Sequence, residues 1–268
     1  MNKLAITGKG GVGKTTLASV LAYLYARDGR RVLAIDADPA ANLALSLGFP
    51  PELAERITPI AEMEDLIYER TGAKPGTVGG WFRLNPRVDD IPDRFSAEHR
   101  GIRLLRLGTV KQGGSGCLCP ENALLRALVT HLLLGRDEVV IMDMEAGVEH
   151  LGRATAQAVD ALIVVVEPGR RSLGTAHLIR DLAGDIGLRR VYVVANKMRD
   201  ERDRAFIESQ ARAEGFEVLG YLPADPRVIE ADFTGQAVFD AAPEFVRAVE
   251  EVKQRLETLS PSEEVSES

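Results

Sequence analysis

The sequence contains little cysteine, no excess of basic residues and no long apolar run. Cys117 and Cys119 are the only cysteines among 268 residues. The aliphatic run Ala161–Val166 is far too short to cross a bilayer as a helix. The first ten residues lack the apolar stretch of a secretory signal. We therefore expect a cytoplasmic protein whose thiols are reduced, so that the two cysteines serve metal or redox chemistry and not a structural disulfide.

The charge balance argues against two classes of partner. Lysine and arginine number 33 against 40 aspartates and glutamates, which gives a formal net charge of −7. A general nucleic-acid binder usually shows a basic stripe, and here acidic residues lie among most of the arginines. The C-terminal sequence is acidic and does not end in the basic amphipathic helix of a membrane-bound ATPase. We expect no nucleic-acid partner and no membrane partner.

Short apolar runs alternate with helical stretches along the chain. The predicted strands are Lys3–Thr7, Val32–Ile35, Ile102–Leu107, Val139–Met142, Ala161–Val166, Val191–Ala195 and Glu217–Tyr221. The predicted crossover helices are Lys14–Asp28, Glu121–Leu134, Ser172–Ile186 and Asp203–Glu214. Strands that are apolar throughout are typical of a parallel sheet covered on both faces. The pattern predicts a doubly wound α/β fold with a mostly parallel, seven-stranded sheet and helices on both faces.

The domain organisation follows from composition. Residues 1–258 are predicted to form one domain. Residues 71–96 are rich in glycine, proline and charge, contain the only tryptophan and are predicted to be an irregular insertion. Residues 259–268 form an acidic, polar tail that is predicted to be disordered.

The most informative motif is GKGGVGKT at Gly8–Thr15, which matches the phosphate-loop pattern G-x-x-x-x-G-K-[ST] in full. It follows a predicted strand and opens a predicted helix, the context that this motif requires. Its backbone N–H groups and the helix N-terminus are expected to hold phosphate oxygens. We expect Lys14 to reach the β- and γ-phosphates and Thr15 to bind Mg²⁺. The predicted nucleotide-binding residues of this loop are Gly10, Gly11, Val12, Gly13, Lys14, Thr15 and Thr16.

A second lysine, Lys9, gives KGGVGKTT a resemblance to the deviant phosphate loop of the class that includes MinD, ParA, the nitrogenase iron protein and ArsA. In that class the early lysine reaches across a dimer interface to the partner's nucleotide. The resemblance therefore implies that Lys9 acts catalytically in a homodimer. A solvated lysine at a turn is the alternative.

Two further segments place acidic residues at strand ends, where α/β proteins bind ligands. In VLAIDADP, Asp36 ends a strand and Asp38 follows in a turn. Asp38 resembles the switch I aspartate that positions the attacking water, and Asp36 either assists with Mg²⁺ or holds the loop. In VVIMDMEAGVEHLGR, Asp143 ends a strand and is expected to bind Mg²⁺ through water. Gly147 resembles the switch II glycine whose N–H senses the γ-phosphate.

The segment VANKMR contains candidates for binding the base. Asn196 and Lys197 resemble the start of the N-K-x-D element, but Arg199 replaces the aspartate that accepts hydrogen bonds from guanine. Because arginine has donors only, this substitution favours ATP. The segment Leu222–Asp225, with Leu222, Pro223 and Asp225 as contacts, is predicted to wrap the base.

The cysteines lie in a glycine-rich stretch before a predicted helix, with Cys119 at the cap position and Pro120 in the first turn. One chain offers only half of a tetrahedral S₄ set, whereas a two-fold dimer brings the pair twice and completes it. A dithiol redox pair and a pair of buried small side chains are the alternatives.

The phosphate loop, DMEAGVEHLGR and CLCPENALL together resemble CooC-type carbon monoxide dehydrogenase maturation factors over nearly all of the chain up to the tail. The resemblance implies a dimeric ATPase that binds Ni²⁺ or Zn²⁺ through Cys117 and Cys119. It also implies that the protein assists nickel insertion into a carbon monoxide dehydrogenase-type nickel–iron–sulfur enzyme.

Two other functions stay open from the sequence. One is an electron donor like the nitrogenase iron protein, although that family draws a second cluster ligand from near switch II and no cysteine lies near Asp143. The other is a positioning ATPase of the MinD or ParA type, which the charge balance disfavours.

Overall fold

The structure, a computed structural model, describes residues 1–76, 81–109 and 119–259. Within these residues, eight strands form one sheet. The strands are β1 (Lys3–Thr7), β2 (Val32–Ala37), β3 (Ala97–His99), β4 (Ile102–Arg106), β5 (Val139–Met144), β6 (Ala161–Val166), β7 (Val191–Met198) and β8 (Glu217–Pro223). Their order across the sheet is β3-β4-β2-β5-β1-β6-β7-β8. All neighbouring pairs are parallel except β3 and β4, which are antiparallel.

The helices connect the strands and cover both faces of the sheet. They are α1 (Lys14–Arg27), α2 (Leu43–Ser46), α3 (Pro51–Ala54), α4 (Glu64–Thr71), α5 (Ile91–Phe95), α6 (Pro120–Leu134), α7 (Arg153–Ala156), α8 (Arg170–Asp185), α9 (Glu201–Glu214), α10 (Pro226–Thr234), α11 (Val238–Ala241) and α12 (Pro243–Thr258). A 3₁₀ turn spans Ile60–Glu62. No helix among the described residues is both long and apolar enough to span a membrane.

Side chains that alternate along the strands build two hydrophobic cores. Leu4 and Ile6 of β1 point to the face where α1 and α12 pack. Ala5 points to the opposite face and belongs to the core formed with α6, α8 and α9. Because both faces are covered, the strands are apolar throughout, which is why the sequence predicts a doubly wound parallel sheet correctly.

The predicted strand count is one too low. The additional strand β3 is only three residues long, pairs antiparallel with β4 at the edge of the sheet and is not fully buried. Such a short polar strand has no hydrophobic pattern to reveal it. The segment predicted to be irregular also contains α5, a single short turn of helix that starts at Ile91 and places a proline in its first turn.

Candidate functional site

The phosphate loop joins the end of β1 to the start of α1. Gly13 is the N-cap residue of α1 and has φ of 98°, in the left-handed region that favours glycine. A Cβ atom at Gly13 would also collide with the side-chain amide of Asn196. Val12 is fully buried and anchors the loop in the core, whereas Gly10 and Gly11 are exposed.

A cleft of about 1220 Å³ opens at the carboxyl edge of the sheet beside this loop. The predicted site residues that line it are Gly10, Gly11, Gly13, Lys14, Thr15, Thr16, Asp38, Asn196, Lys197, Pro223 and Asp225. They come from the phosphate loop and first turn of α1, the loop after β2, and the carboxyl ends of β7 and β8, which the parallel sheet brings to one edge. The cleft is therefore large enough, and placed correctly, for a nucleoside triphosphate.

Thr15 and Asp143 meet on the inner side of the phosphate loop. The Thr15 hydroxyl donates a 2.6 Å hydrogen bond to Oδ2 of Asp143. Asp143 is fully buried, and its Oδ1 atom has no hydrogen-bond partner among the described residues. Burial raises the pKa of Asp143 to about 7. A buried carboxylate oxygen without a partner beside a threonine hydroxyl fits the donor set of a hydrated Mg²⁺ ion, since this cation prefers oxygen ligands and keeps several waters.

Asp36 and Asp38 have different roles in the loop after β2. Asp36 accepts backbone hydrogen bonds from Leu43 at 3.1 Å and from Asp38 at 3.3 Å. Burial raises the pKa of Asp36 to about 6. Of the two roles considered for Asp36, this geometry supports holding the loop. Oδ2 of Asp38 lies 3.7 Å from Nζ of Lys14, at the mouth of the phosphate loop.

Lys9 differs from Lys14 in its surroundings. Lys14 is buried and lines the cleft. Lys9 is partly exposed, does not line the cleft and forms no ion pair with any residue that the structure describes. Lys9 is thus placed outside the nucleotide cleft of its own chain, and its reach toward a partner chain stays a prediction.

Gly147 lies in the loop after β5, residues 145–152. Its φ is 156°, and its N–H donates a 3.1 Å hydrogen bond to the hydroxyl of Thr7. The carboxylate of Glu149 packs where a Cβ atom at position 147 would stand. The exposed Glu149 side chain could move away from a Cβ atom, so glycine is favoured here mainly by the backbone conformation. The γ-phosphate-sensing role of Gly147 stays a prediction.

The residues predicted to bind the base mainly brace the phosphate loop. The amide of Asn196 donates a 2.8 Å hydrogen bond to the carbonyl of Val12. Nζ of Lys197 donates to the carbonyl of Gly11 at 2.6 Å and pairs with Glu167 at 3.0 Å. Both side chains support the phosphate loop from the side of β7. We therefore expect them to affect phosphate binding whichever base is bound.

The end of β8 completes the wall of the cleft. Pro223 and Asp225 line it, whereas the Leu222 side chain is fully buried and faces the core. Asp225 is the N-cap of α10, and its hydrogen bonds with Arg227 lower its pKa. The guanidinium of Arg199 forms a two-pronged ion pair with Asp203.

Thr7 and Glu167 also belong to the site, although the sequence does not predict them as site residues. Thr7 is fully buried and binds the loop after β5 through its hydroxyl. Glu167 lines the cleft and orients Lys197. Each one follows or ends a predicted strand at its carboxyl end, and that position is the signal by which both could have been found.

The cysteine pair is only partly described. Cys119 is buried and caps α6, which begins at Pro120 as predicted. Cys117 lies outside the described residues, as do the glycines before it. Among the residues that the structure describes, no three histidine, cysteine, aspartate or glutamate side chains form a group that could hold a metal ion.

Comparisons with known proteins identify the family of this chain. A family profile described as the CobQ/CobB/MinD/ParA nucleotide binding domain matches residues 3–238. The carbon monoxide dehydrogenase accessory protein CooC of Rhodospirillum rubrum is 50% identical over 241 residues, 90% of each chain. An uncharacterized ATP-binding protein of Methanocaldococcus jannaschii is 47% identical over 88% of this chain and 90% of its own length.

Solved structures support the fold alone. The MinD cell division protein of Aquifex aeolicus superposes with a TM-score of 0.68 at 22% identity, over 97% of this chain and 98% of that one. The family profile and the two relatives show the family of the chain, whereas the structural similarity shows only its fold. The chain belongs to the CobQ/CobB/MinD/ParA family of nucleotide-binding domains, and within that family it is a P-loop ATPase of the CooC type.

Proposed function

We propose that this protein is a homodimeric metallochaperone that hydrolyses ATP and assists nickel insertion into a carbon monoxide dehydrogenase-type nickel–iron–sulfur enzyme in the cytoplasm. The observation that carries the proposal is the 50% identity to CooC, an accessory protein of carbon monoxide dehydrogenase, over 90% of both chains. The intact phosphate loop and the Cys-x-Cys pair of this sequence support the same function.

In the proposed reaction, Lys14 contributes its positive charge to the β- and γ-phosphate oxygens of ATP. Asp38, whose Oδ2 is 3.7 Å from Nζ of Lys14, positions the attacking water. The water oxygen bonds to the γ-phosphorus, the bond from that phosphorus to the bridging oxygen breaks, and ADP and phosphate leave. Thr15, and Asp143 through water, would hold Mg²⁺, which when bound would neutralise phosphate charge.

Two independent features support the proposed dimer. Lys9 lies outside the cleft of its own chain, which supports a contact with the nucleotide of a second chain. Cys117 and Cys119 supply two thiolates per chain, and a tetrahedral thiolate site needs four. In the proposed cycle, ATP binding joins two protomers, closure changes the distance between the cysteine pairs, and hydrolysis reopens the dimer and loosens the Ni²⁺ or Zn²⁺ cargo.

The test is activation of a nickel-free carbon monoxide dehydrogenase prepared from nickel-depleted cells. Purified protein with Ni²⁺ and ATP is expected to activate the enzyme faster than Ni²⁺ alone. The Cys117→Ser/Cys119→Ser double variant and the Lys14→Ala variant are expected to lose this acceleration, and Ser209→Ala at an exposed position of α9 is expected to keep it.

Two results would overturn the proposal. One is equal activation by the cysteine double variant and the unchanged protein. The other is a brown, iron-containing protein after anaerobic purification, which would favour electron transfer through an iron–sulfur cluster.

A further inference from the structure

The hydroxyl of Thr7 joins the strand that leads into the phosphate loop to the loop after β5. Thr7 is the last residue of β1, and Gly8 of the phosphate loop follows it directly. Its hydroxyl donates a 2.6 Å hydrogen bond to the carbonyl of Glu145 and accepts one of 3.1 Å from the N–H of Gly147. The side chain is fully buried, so water does not compete for these bonds.

The N–H of Gly147 cannot donate fully to Thr7 and to a phosphate at the same time. A backbone amide has one hydrogen, and that of Gly147 is directed at Thr7. The same N–H can reach a phosphate oxygen only if the bond to Thr7 breaks or weakens. Because β1 and β5 are adjacent in the sheet, both groups lie at the edge where the phosphate loop begins.

Gly147 is buried, so its amide needs a hydrogen-bond partner in any position of this loop. The Glu149 carboxylate packs against Gly147, and Val148 and Leu151 are buried in the core. A buried amide that leaves Thr7 must find another acceptor, because an unpaired buried donor is unfavourable. A γ-phosphate offers such an acceptor, whereas ADP does not.

We propose that Thr7 is a positioning residue that latches the loop after β5 in the state without γ-phosphate. Its hydroxyl holds the Gly147 amide until ATP supplies a better acceptor. The latch lowers the affinity for ATP and leaves the affinity for ADP unchanged. It therefore sets how sharply the protein distinguishes the two nucleotides. This inference rests on the proposed γ-phosphate-sensing role of Gly147.

The experiment compares binding of ADP with binding of the β,γ-imido analogue of ATP, both with Mg²⁺, by calorimetry on the full chain. Thr7→Val removes the hydroxyl and keeps the shape, and Thr7→Ser keeps the hydroxyl. Thr7→Val is expected to raise the analogue-to-ADP affinity ratio about two- to tenfold, the range of one hydrogen bond. Thr7→Ser is expected to match the unchanged protein. Should Thr7→Val fail to fold, Thr7→Ala carries the same expectation without an added methyl group.

An unchanged ratio in Thr7→Val, or an equal rise in Thr7→Ser, would overturn the latch. Gly147→Ala separates this failure from failure of the underlying role. A fall of the ratio in Gly147→Ala with no change in Thr7→Val would reject the latch alone. Alanine keeps the N–H but strains the backbone that positions it, since φ is 156°, so a wild-type ratio in Gly147→Ala would reject the sensing role itself.

Discussion

The hydroxyl of Thr15 donates a 2.6 Å hydrogen bond to the buried carboxylate of Asp143, which is 128 residues away in the chain. This bond ties the first turn of α1 to the carboxyl end of β5. It leaves Oδ1 of Asp143 without a partner among the described residues. The pair therefore forms the oxygen-rich side of the nucleotide cleft, where Mg²⁺ is expected to bind.

Replacing Asp143 by asparagine is expected to impair Mg²⁺-dependent hydrolysis. Loss of a residue that orients a metal ligand typically costs 10- to 100-fold, so we expect the ATPase rate of Asp143→Asn to fall by about that factor. The Mg²⁺ concentration for half-maximal rate is expected to rise. The measurement is a steady-state ATPase assay over a Mg²⁺ titration, with the exposed Asp181→Asn on α8 as the control. A wild-type rate in Asp143→Asn would contradict the assignment.

Asp143→Asn is expected to increase the stability of the fold, although it lowers the ATPase rate. Burial raises the pKa of Asp143 from 3.8 to about 7, so the native state keeps a proton that the unfolded chain has lost between these values. The stability contributed by the protonated form is present below pH 4 and is lost as pH rises toward 7. Without Mg²⁺ and nucleotide, Asp143→Asn is expected to be more stable than the unchanged protein at pH 8, by an amount on the order of a few kcal/mol.

Denaturant unfolding in the presence of EDTA at pH 5 and at pH 8 measures this effect. The stability difference between Asp143→Asn and the unchanged protein is expected to grow with pH. Asp185→Asn, at an exposed position of α8, is expected to show no such trend. A difference that stays constant from pH 5 to pH 8 would show that the Asp143 pKa is not raised in the native state.

Removing the Asn196 side chain is expected to weaken the binding of ADP and of ATP alike. Asn196→Ala deletes the 2.8 Å hydrogen bond to the Val12 carbonyl, which holds the phosphate loop from the side of β7. Because ADP and ATP share this loop, we expect both affinities to fall about three- to tenfold. Calorimetric titration of both nucleotides tests this, with Ser209→Ala as the control. Loss of one affinity without the other would assign Asn196 to a different part of the ligand.

Variants of Lys9 and Lys14 are expected to separate nucleotide binding from dimerisation. Lys14→Ala should lose nucleotide affinity, because Lys14 lines the cleft. Lys9→Ala should bind ADP like the unchanged protein but fail to dimerise with ATP, since Lys9 lies outside its own cleft. Sedimentation of both variants with ADP and with a non-hydrolysable ATP analogue distinguishes them. Tight ATP-dependent dimerisation of Lys9→Ala would contradict the proposed contact.

The sequence predicts the local parts of this molecule well. The phosphate loop is readable because its spacing is fixed within eight residues, and the strands are readable because both faces are buried. The bracing roles of Asn196 and Lys197 depend on which loops the sheet order brings together, which no short window contains. The same is true of Thr7, whose partners lie about 140 residues away.

The sequence alone also does not show which side chains at the end of β8 face the cleft. The sequence places Leu222 and Pro223 equally beside the base, but Leu222 is fully buried and Pro223 lines the cleft. The alternation of a strand decides this, and the register becomes visible only when β8 is paired with β7. The sequence does not predict strand β3, because three residues are too few to carry a periodic signal.

The central claim is that two copies of the chain share one metal ion through Cys117 and Cys119. The most direct test is native mass measurement combined with metal analysis of zinc- or nickel-loaded protein, with and without ATP. We predict one divalent ion per two chains, carried only by the dimer and lost in the Cys117→Ser/Cys119→Ser variant. One ion per single chain, held equally by monomers with and without nucleotide, would contradict the account.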